Sequence, residues 1–253
     1  MNPAEFANIA EAEESLWWYR GMREIMFRIL DPVARERKLD KVLEAGAGTG
    51  YFSQALERRY GWTMYPFDLG WEGIEHGKRH GARRLAQADT RALPYAGDRF
   101  DAVVSMDVIA HLARGEEQKP LREFGRVLRE GGLLILRSSA LDVLRSRHSE
   151  FAHERQRFTR RRLKDAVTAA GFRVLRVSYA NSLLMPIALA KFRIWEPLTR
   201  QPPSSGVKPV ERWLDRLLYA PLAMEARLLG GGLNLPLGQS LILVAEKDVP
   251  GRL

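Results

Sequence analysis

The stretch Leu43–Phe52, LEAGAGTGYF, decides the fold of this 253-residue chain. It begins within the apolar run KVLEA, which is typical of a short buried strand, and it ends where a helix is predicted to begin. A glycine turn between a strand and a helix lets the backbone approach a ligand closely, and the helix N-terminus offers free amide donors. The stretch therefore predicts a nucleotide site.

The spacing of the glycines decides which nucleotide is favoured. The dinucleotide pattern GxGxxG requires a third glycine at position 51, and Tyr51 stands there instead. The third glycine, Gly50, comes one position early after Gly46 and Gly48. An NAD-dependent oxidoreductase is therefore disfavoured. The acid at the end of the next apolar run, Asp68, does not decide the question, because it is compatible with NAD and with other cofactors that contain a ribose.

Short apolar runs separated by helical segments continue along the chain. They are KVLEA, WTMYPFD, RRLAQAD, FDAVVSM, LLILRSS, FRVLRVSYA and SLILVAE. This alternation predicts an α/β fold with a mostly parallel sheet covered on both faces. Roughly sixty residues separate the last two runs, and we expect them to form an amphipathic helical insertion.

The segment before the glycine stretch is also predicted to be helical. Its apolar residues follow one helical face, and the helix is expected to end after Pro32. The residues on this face are Trp18, Met22, Ile25, Met26 and Ile29.

The glycines belong to a longer pattern, ExGxGxG, which begins at Glu44. This pattern resembles motif I of the class I S-adenosylmethionine (SAM)-dependent methyltransferases. The resemblance continues in order through Asp68, the block QADTRALPYAGDRFDAVVSMDVIAHL and the segment LREFGRVLREGGLLIL, and it is greatest for the methyltransferase type 11 group. The chain departs from the group at Ala110, where a glutamate is usual before the histidine.

The resemblance implies a Rossmann-like seven-stranded sheet with an antiparallel last strand and SAM as cofactor. Together with the apolar pattern, it divides the chain into an N-terminal helical lid (1–38), a SAM-binding core (39–182), a helical insertion or substrate cap (183–238) and a final strand with a tail (239–253). Asp68 is implied to bind the ribose hydroxyls, and Asp89 with Thr90 the adenine. The implied cofactor residues of the core are Glu44, Gly46, Gly48, Gly50, Asp68, Asp89, Thr90 and Met106.

The N-terminal segment SLWWYRGMRE is similar to a signature that precedes motif I in this group. Aromatic rings can stabilise a sulfonium, and arginine can pair with the methionine carboxylate. Tyr19 and Arg23 lie off the apolar stripe and are predicted to close over the cofactor, whereas Trp18 shares that stripe and is expected in the core.

Methyl transfer requires alignment of the acceptor, and a base only if the acceptor loses a proton. His111 and Asp107 follow the fourth predicted strand, where open α/β sheets place ligands, and are the candidate catalytic residues. The alternative is that His111 packs or caps the following helix. With no cysteine in the chain, a thiol nucleophile and a thiolate metal site are excluded, and no metal is predicted.

Positive charge is concentrated between Arg122 and Arg176, where fourteen Lys and Arg stand against six Asp and Glu, within a net charge of +9. Thr159 is predicted to cap a helix whose first turn carries three arginines, an unfavourable place for cations unless an anion lies between them. We therefore predict an anionic acceptor held by His153, Arg155, Arg157 and Arg161. The alternative is a solvated basic surface.

The insertion combines apolar faces with scattered Lys and Arg, which suits an interfacial helix, a substrate tunnel or an ordinary packed helix. These features favour a small-molecule or lipid-like, amphiphilic acceptor, with O-methylation preferred and peripheral membrane contact as an option. Nucleic acid is disfavoured because SMDV replaces the NPPY-like tetrapeptide, and a non-catalytic SAM-binding module is the other alternative.

The acidic N-terminus resembles no targeting signal, so a cytoplasmic protein is expected. Oligomeric state is left open.

Overall fold

A computed structural model describes residues 2–208 and 210–248. The strands are β1 (Lys41–Ala45), β2 (Thr63–Asp68), β3 (Ala86–Gln87), β4 (Phe100–Met106), β5 (Leu128–Ser139), β6 (Phe172–Ala180) and β7 (Ser240–Lys247). The α-helices are α1 (Pro3–Ala12), α2 (Trp17–Glu36), α3 (Tyr51–Tyr60), α4 (Trp71–Arg79), α5 (Gln118–Val127), α6 (Arg147–Phe151), α7 (Arg160–Ala169), α8 (Met185–Ala190), α9 (Glu196–Thr199) and α10 (Arg212–Gly230). A π-helical turn, Lys191–Trp195, joins α8 to α9, and a 3₁₀ turn, Ile109–His111, follows β4.

All seven strands form one sheet in the order β3-β2-β1-β4-β5-β7-β6. Neighbouring strands from β3 to β5 are parallel, whereas β7 runs antiparallel to both β5 and β6. The predicted α/β sheet with an antiparallel last strand is therefore confirmed. Because β1 and β4 are adjacent while the chain passes to β2 between them, their carboxyl ends meet at a topological switch point, the usual ligand position in open sheets.

A hydrophobic core lies on each face of the sheet. Successive residues of β1 point to opposite sides, so that Val42 packs with α2 and α10 while Leu43 packs with α5 and α7. Both side chains are fully buried. The insertion is therefore integrated into the fold through α10, which covers α2 on one face of the sheet.

The helix α2 differs from its sequence-based prediction in two respects. It continues past Pro32 to Glu36, so the expected end after the proline is wrong. Ile29 and Leu30, which precede the proline, are buried in the core, and this packing offsets the hydrogen bond that the proline ring removes. Most of the predicted lid is α2, which packs on one face of the sheet. The other helix of that segment, α1, contacts α4 instead.

The packing of α10 on α2 depends on Gly21. A Cβ atom at this position would lie 2.3 Å from Leu222 Cδ1 and 2.6 Å from Leu222 Cβ. We expect Gly21→Ala to lower the free energy of unfolding by about 1 to 3 kcal/mol, because the two helices must separate. Urea unfolding measures this change.

Gly125→Ala is the matched control, because Gly125 lies inside α5 and its added Cβ would be 3.5 Å from Phe172 Cζ, an ordinary contact. That variant is expected to be neutral or to gain up to about 1 kcal/mol from helix propensity. Equal effects of the two substitutions would contradict the close approach at Gly21.

Candidate functional site

The glycine stretch forms a tight loop between β1 and α3. Gly46, Gly48 and Gly50 have φ angles of 78°, 56° and 73°, values that residues other than glycine rarely adopt. A Cβ atom on Gly46 would lie 2.0 Å from Cγ2 of Val108, so the loop also packs closely against the segment after β4. The loop therefore presents bare backbone at the switch point of the sheet.

Asp68 lies at the carboxyl end of β2, directly beside this loop. Its carboxylate accepts hydrogen bonds from the backbone amides of Gly48 at 2.7 Å and Gly70 at 2.8 Å. Burial raises the pKa of Asp68, and the two amide bonds act in the opposite direction. The carboxylate is thus fixed against the loop, where it can face a ribose.

Glu44, the first residue of the motif, is buried within β1 and is 2% exposed. Its carboxylate accepts a hydrogen bond from Ser53 Oγ of α3. Burial raises the pKa of Glu44 to about 8, so this side chain holds a proton near neutral pH. Glu44 therefore links β1 to α3 beneath the loop.

Asp89 and Thr90 follow β3 at the same edge of the sheet. The carboxylate of Asp89 accepts hydrogen bonds from the backbone amide of Arg91 and from its guanidinium, at 2.7 to 3.1 Å. These contacts lower the pKa of Asp89. An ionised carboxylate offers about four acceptor positions, so the contact with Arg91 leaves capacity for another donor.

The helix α1, which lies within the predicted lid (1–38), covers the glycine loop through residues that the sequence analysis did not select. Phe6 is 3% exposed, and its ring would lie 3.9 Å from a Cβ on Gly48 and 2.5 Å from one on Gly70. Just after α1, the Glu13 carboxylate accepts the hydroxyl hydrogen of Thr49, at 2.6 to 2.7 Å. The signal in the sequence was a single aromatic residue, Phe6, among alanines and acidic residues.

The contact between Glu13 and Thr49 is expected to depend on pH. Burial raises the pKa of Glu13 from 4.5 to about 7, against weaker opposing contributions from Thr49, His80 and Arg23. The closed arrangement therefore favours the protonated acid, and its stability relative to an open arrangement falls as pH rises from about 4.5 to 7. Between pH 5 and pH 8 the opening equilibrium of α1 should increase on the order of tenfold to a hundredfold.

Amide hydrogen exchange across α1, corrected for the chemical exchange rate at each pH, measures this opening. Glu13→Gln should flatten the pH dependence, whereas Glu11→Gln, an exposed position on the same helix, should leave it unchanged. A profile that Glu13→Gln does not alter would assign the effect to another group.

The carboxyl end of β4 carries Met106 and Asp107, with His111 in the following 3₁₀ turn. The ring nitrogen Nδ1 of His111 lies 3.3 Å from the carbonyl oxygen of His153. Because a carbonyl only accepts, Nδ1 donates in this hydrogen bond, and Nε2 keeps its lone pair. Burial lowers the pKa of His111, so the imidazole is neutral near pH 7 and can accept a proton.

Asp107 forms an ion pair with Arg137 of β5, a residue that sequence reasoning did not select. The Arg137 side chain is 10% exposed, its guanidinium lies 4.9 Å from the centre of the Trp18 ring, and its Nε has no hydrogen-bond partner. The signal in the sequence was a single arginine inside the apolar run LLILRSS. Asp107 itself has a φ of 59°, which places it in a tight turn.

Tyr19 and Arg23 lie on α2, as Trp18 does, but they have different surroundings. Tyr19 contacts the Trp18 ring edge to face, with centroids 4.9 Å apart, and burial raises the pKa of its hydroxyl. The Arg23 guanidinium donates to the carbonyl of Glu13 at 2.8 Å and lies 5.1 Å from the centre of the Tyr51 ring. Arg23 thus holds the segment that follows α1, next to the glycine loop.

The four predicted acceptor residues are not gathered into one cluster. His153 and Arg155 are exposed and lie beside the His111 turn, since the Arg155 amide donates to the carbonyl of Ala110 at 2.9 Å. The Arg157 side chain is 9% exposed and pairs with Glu154 at 2.5 Å. Arg161 extends into solvent, with its side chain 93% exposed.

The three arginines of the first turn of α7 also differ from the prediction. Thr159 does cap the helix. Arg162 pairs with Glu117 at 3.3 Å, and Arg160 donates to the carbonyl of Leu235, so two of the three cations have internal partners. Their unfavourable position at the helix N-terminus therefore requires no external anion.

The residues present fit an adenosine cofactor with a charged sulfonium. The glycine loop presents bare backbone at the carboxyl end of β1, Asp68 offers a fixed carboxylate beside it, and the Trp18 ring of α2 lies next to Arg137 of β5. Within residues 2–208 and 210–248, no group of three or more His, Asp or Glu side chains is arranged to hold a metal ion. In the same part of the chain no helix is both long and apolar enough to span a membrane.

Known proteins share both the sequence pattern and the fold. A malonyl-[acyl-carrier protein] O-methyltransferase of Hamiltonella defensa is 32% identical over 124 residues, 49% of this chain and 46% of the relative. A ubiquinone biosynthesis O-methyltransferase of Parvibaculum lavamentivorans is 31% identical over 101 residues, 38% of this chain and 39% of the relative. The chain therefore aligns with less than half the length of these curated relatives.

Solved structures have the same architecture. A chain from the complex between the Haloferax volcanii Trm112 methyltransferase activator and a methyltransferase superposes with a TM-score of 0.60 at 19% identity, covering 98% of this chain and 99% of that chain. At this identity the similarity concerns the fold. Residues 18–177 match the family described as the methyltransferase domain, and this range contains the glycine loop, Asp68 and His111. The chain therefore belongs to the class I SAM-dependent methyltransferase family.

Proposed function

We propose that this enzyme transfers the methyl group of SAM to an oxygen atom of a small, amphiphilic acceptor. The observation that carries the proposal is the meeting of three elements at one edge of the sheet. These are the positive-φ glycine loop, the fixed carboxylate of Asp68 and the neutral imidazole of His111. Together they provide a cofactor cradle with a proton acceptor beside it.

SAM, when bound, supplies a methyl group on a sulfonium for in-line displacement. In the proposal Asp68 accepts both ribose hydroxyls, Asp89 and Thr90 contact the adenine, and Met106 packs beside it. The backbone of Gly46–Gly50 approaches the methionine part, and Glu44 holds the loop in place from below. Tyr19 and Arg23 close this end of the site, and the aromatic rings of α2 exclude water from it.

His111 acts as the base in the proposed reaction. Nε2 of His111 would accept the proton of an acceptor hydroxyl, while Nδ1 keeps the ring oriented through the carbonyl of His153. Bound SAM would supply the methyl group by cleavage of its sulfur–methyl bond and would leave as the neutral thioether. Asp107 holds Arg137 beside this position, and the ion pair is a positioning element for the acceptor end of the site. A carboxylate acceptor is already a nucleophile and does not need the base.

The acceptor class is supported by the relatives and by the surroundings of His111. The names of the two curated relatives both specify O-methyl transfer, one on a malonyl group and one in ubiquinone biosynthesis. Arg137 has a buried Nε without a partner, and His153 with Arg155 offers exposed positive or polar groups at the same turn. These groups favour an acceptor that carries a negative charge next to an apolar part.

The test is to incubate the protein with methyl-labelled SAM and a lysate of its source cells, and to partition the label into organic, aqueous, RNA and protein fractions. We expect label in the organic or aqueous small-molecule fraction, and its loss in the His111→Ala variant if the acceptor is a hydroxyl. Label in RNA would replace this proposal by nucleic-acid methylation. SAM binding without transfer to any fraction would indicate a binding module.

The cytoplasmic location expected from the sequence stays a prediction.

A further inference from the structure

The helix α10 has two apolar faces, and only one of them is covered. Its inner face, Leu222, Ala226 and Leu229, is fully buried against α2. On the opposite side Trp213, Leu217 and Met224 are 66%, 60% and 50% exposed. With 100° between successive residues, these positions and Leu228 fall on one stripe about 160° away from the inner face. We call this stripe the outer face of α10.

Arginines border the outer face along one side. At helical spacing Arg212, Arg216 and Arg227 lie within about 100° of the stripe on the same flank. All three are exposed. Among the described residues, none of the three forms an ion pair or a side-chain hydrogen bond within the protein. Their charge is therefore directed to the surroundings of the apolar stripe.

The preceding part of the insertion repeats this composition. In the π-helical turn and α9, the side chains of Ile194, Trp195 and Leu198 are 61%, 64% and 74% exposed, and Lys191 and Arg193 of the same turn are exposed as well. Exposed apolar groups of this size are rarely clustered on a protein surface unless the surface binds something.

The acids of the insertion, in contrast, are mostly occupied inside the protein. Glu225 is buried and accepts the amide hydrogen of Leu183 at 2.7 Å, and Asp215 accepts from the amide of Trp17 at 2.7 Å and pairs with Arg20. Glu196 accepts the amide hydrogen of Arg147 at 2.9 Å. The exposed charge around the apolar groups is therefore predominantly positive, with Glu211 at the start of α10 as the exposed acid.

We propose that the outer face of α10 docks on an anionic lipid surface. Tryptophan and leucine on one face, bordered by arginine, are the composition of helices that lie in the membrane interface. The positive border complements acidic headgroups, and neither this helix nor any other in the described residues is able to span the membrane. The inference concerns a surface outside the methyl-transfer site and goes beyond the proposed function.

Docking of α10 would tether the site to the lipid surface. Asp215 bonds α10 to the first residues of α2, Trp17 and Arg20, and the Arg20 guanidinium also lies 4.6 Å from the centre of the Tyr219 ring of α10. The next residue after Trp17, Trp18, contacts Arg137 at the acceptor end of the site. The docked helix and the acceptor end are therefore held in one packed unit.

Co-sedimentation with lipid vesicles tests the proposal. The full chain is expected to bind vesicles of equal parts phosphatidylcholine and phosphatidylglycerol, and to bind vesicles of phosphatidylcholine alone at least about tenfold more weakly. The variant Trp213→Ser/Leu217→Ser/Met224→Ser should lose at least about tenfold in affinity for the mixed vesicles. Arg212→Gln/Arg216→Gln/Arg227→Gln should lose about a hundredfold on the mixed vesicles and little on phosphatidylcholine.

Two controls match these variants. Leu175→Ser changes an apolar residue of β6 that is 44% exposed, and Arg83→Gln/Arg99→Gln/Arg122→Gln removes the same charge from exposed positions outside the insertion. Both should retain vesicle binding. SAM affinity, measured by calorimetry, should be unchanged in all four variants, which separates this inference from the proposed function.

Absence of binding to mixed vesicles would overturn the proposal, as would binding that the serine variant retains. Sedimentation of the free protein checks the other occupant of an apolar face. A dimer that the serine variant converts to a monomer would assign the outer face to a second copy of the chain, and would also overturn docking on lipid.

Discussion

Replacing Asp68 by alanine is expected to weaken SAM binding by at least about a hundredfold. Two charge-assisted hydrogen bonds to the ribose contribute on the order of 1.5 to 3 kcal/mol each, and both are lost. The substitution also removes the acceptor for the amides of Gly48 and Gly70, which loosens the loop on which the cofactor rests. Isothermal titration with SAM measures the dissociation constant.

Asp101→Ala is the matched control for this change. Asp101 also accepts hydrogen bonds from two backbone amides, those of Asp40 at 2.9 Å and Lys41 at 2.8 Å, but it does so at the opposite edge of the sheet. Its loss should lower the unfolding temperature without changing the affinity for SAM. An unchanged SAM dissociation constant in Asp68→Ala would show that the ribose lies elsewhere.

Replacing Asp107 by alanine is expected to lower the free energy of unfolding by about 3 kcal/mol, because the Arg137 guanidinium would be left buried without its counter-ion. Part of this loss comes from the positive φ of Asp107, which alanine tolerates poorly. Asp107→Asn separates the two contributions, since asparagine accepts this backbone geometry and removes only the charge. Urea unfolding at neutral pH measures each value.

A second substitution tests whether the buried charge is the cause. Adding Arg137→Leu to Asp107→Asn should restore a large part of the lost stability, because an apolar side chain requires no counter-ion. The exposed pair Glu75–Arg79, with side chains 52% and 60% exposed, is the control, and Glu75→Ala should cost less than about 1 kcal/mol. If Asp107→Asn is as mild as this control, the pair contributes nothing beyond a surface contact.

The cofactor side of the site could be largely anticipated from the sequence because it is built from local signals. Glycines that must adopt positive φ occur at fixed spacing after a strand, and Asp68 ends the next strand of a parallel sheet. Because the carboxyl ends of parallel strands lie at the same edge of a sheet, these residues come together without depending on contacts elsewhere in the chain. The presence of glycine at positions 46, 48 and 50 therefore already indicates the positive φ angles that the loop adopts there.

The acceptor side could not be anticipated in the same way. Whether an arginine faces solvent or a buried carboxylate depends on which acids the fold brings near it. Arg157 and Arg162 have such partners in Glu154 and Glu117, while Arg161, one position from Arg162, is exposed. Charge density along the chain therefore predicted an anion site where the fold supplies internal ion pairs.

The sequence by itself determined the alternating α/β architecture, the glycine loop and the acid at its side. These follow from hydrophobic periodicity and from the backbone angles that only glycine adopts readily. The tertiary structure alone decided that α1 covers the loop through Phe6 and Glu13, that Arg137 pairs with Asp107, and that α10 leaves one apolar face exposed. Such contacts join residues far apart in the chain, and no local pattern specifies them, because they depend on how whole helices pack on the sheet.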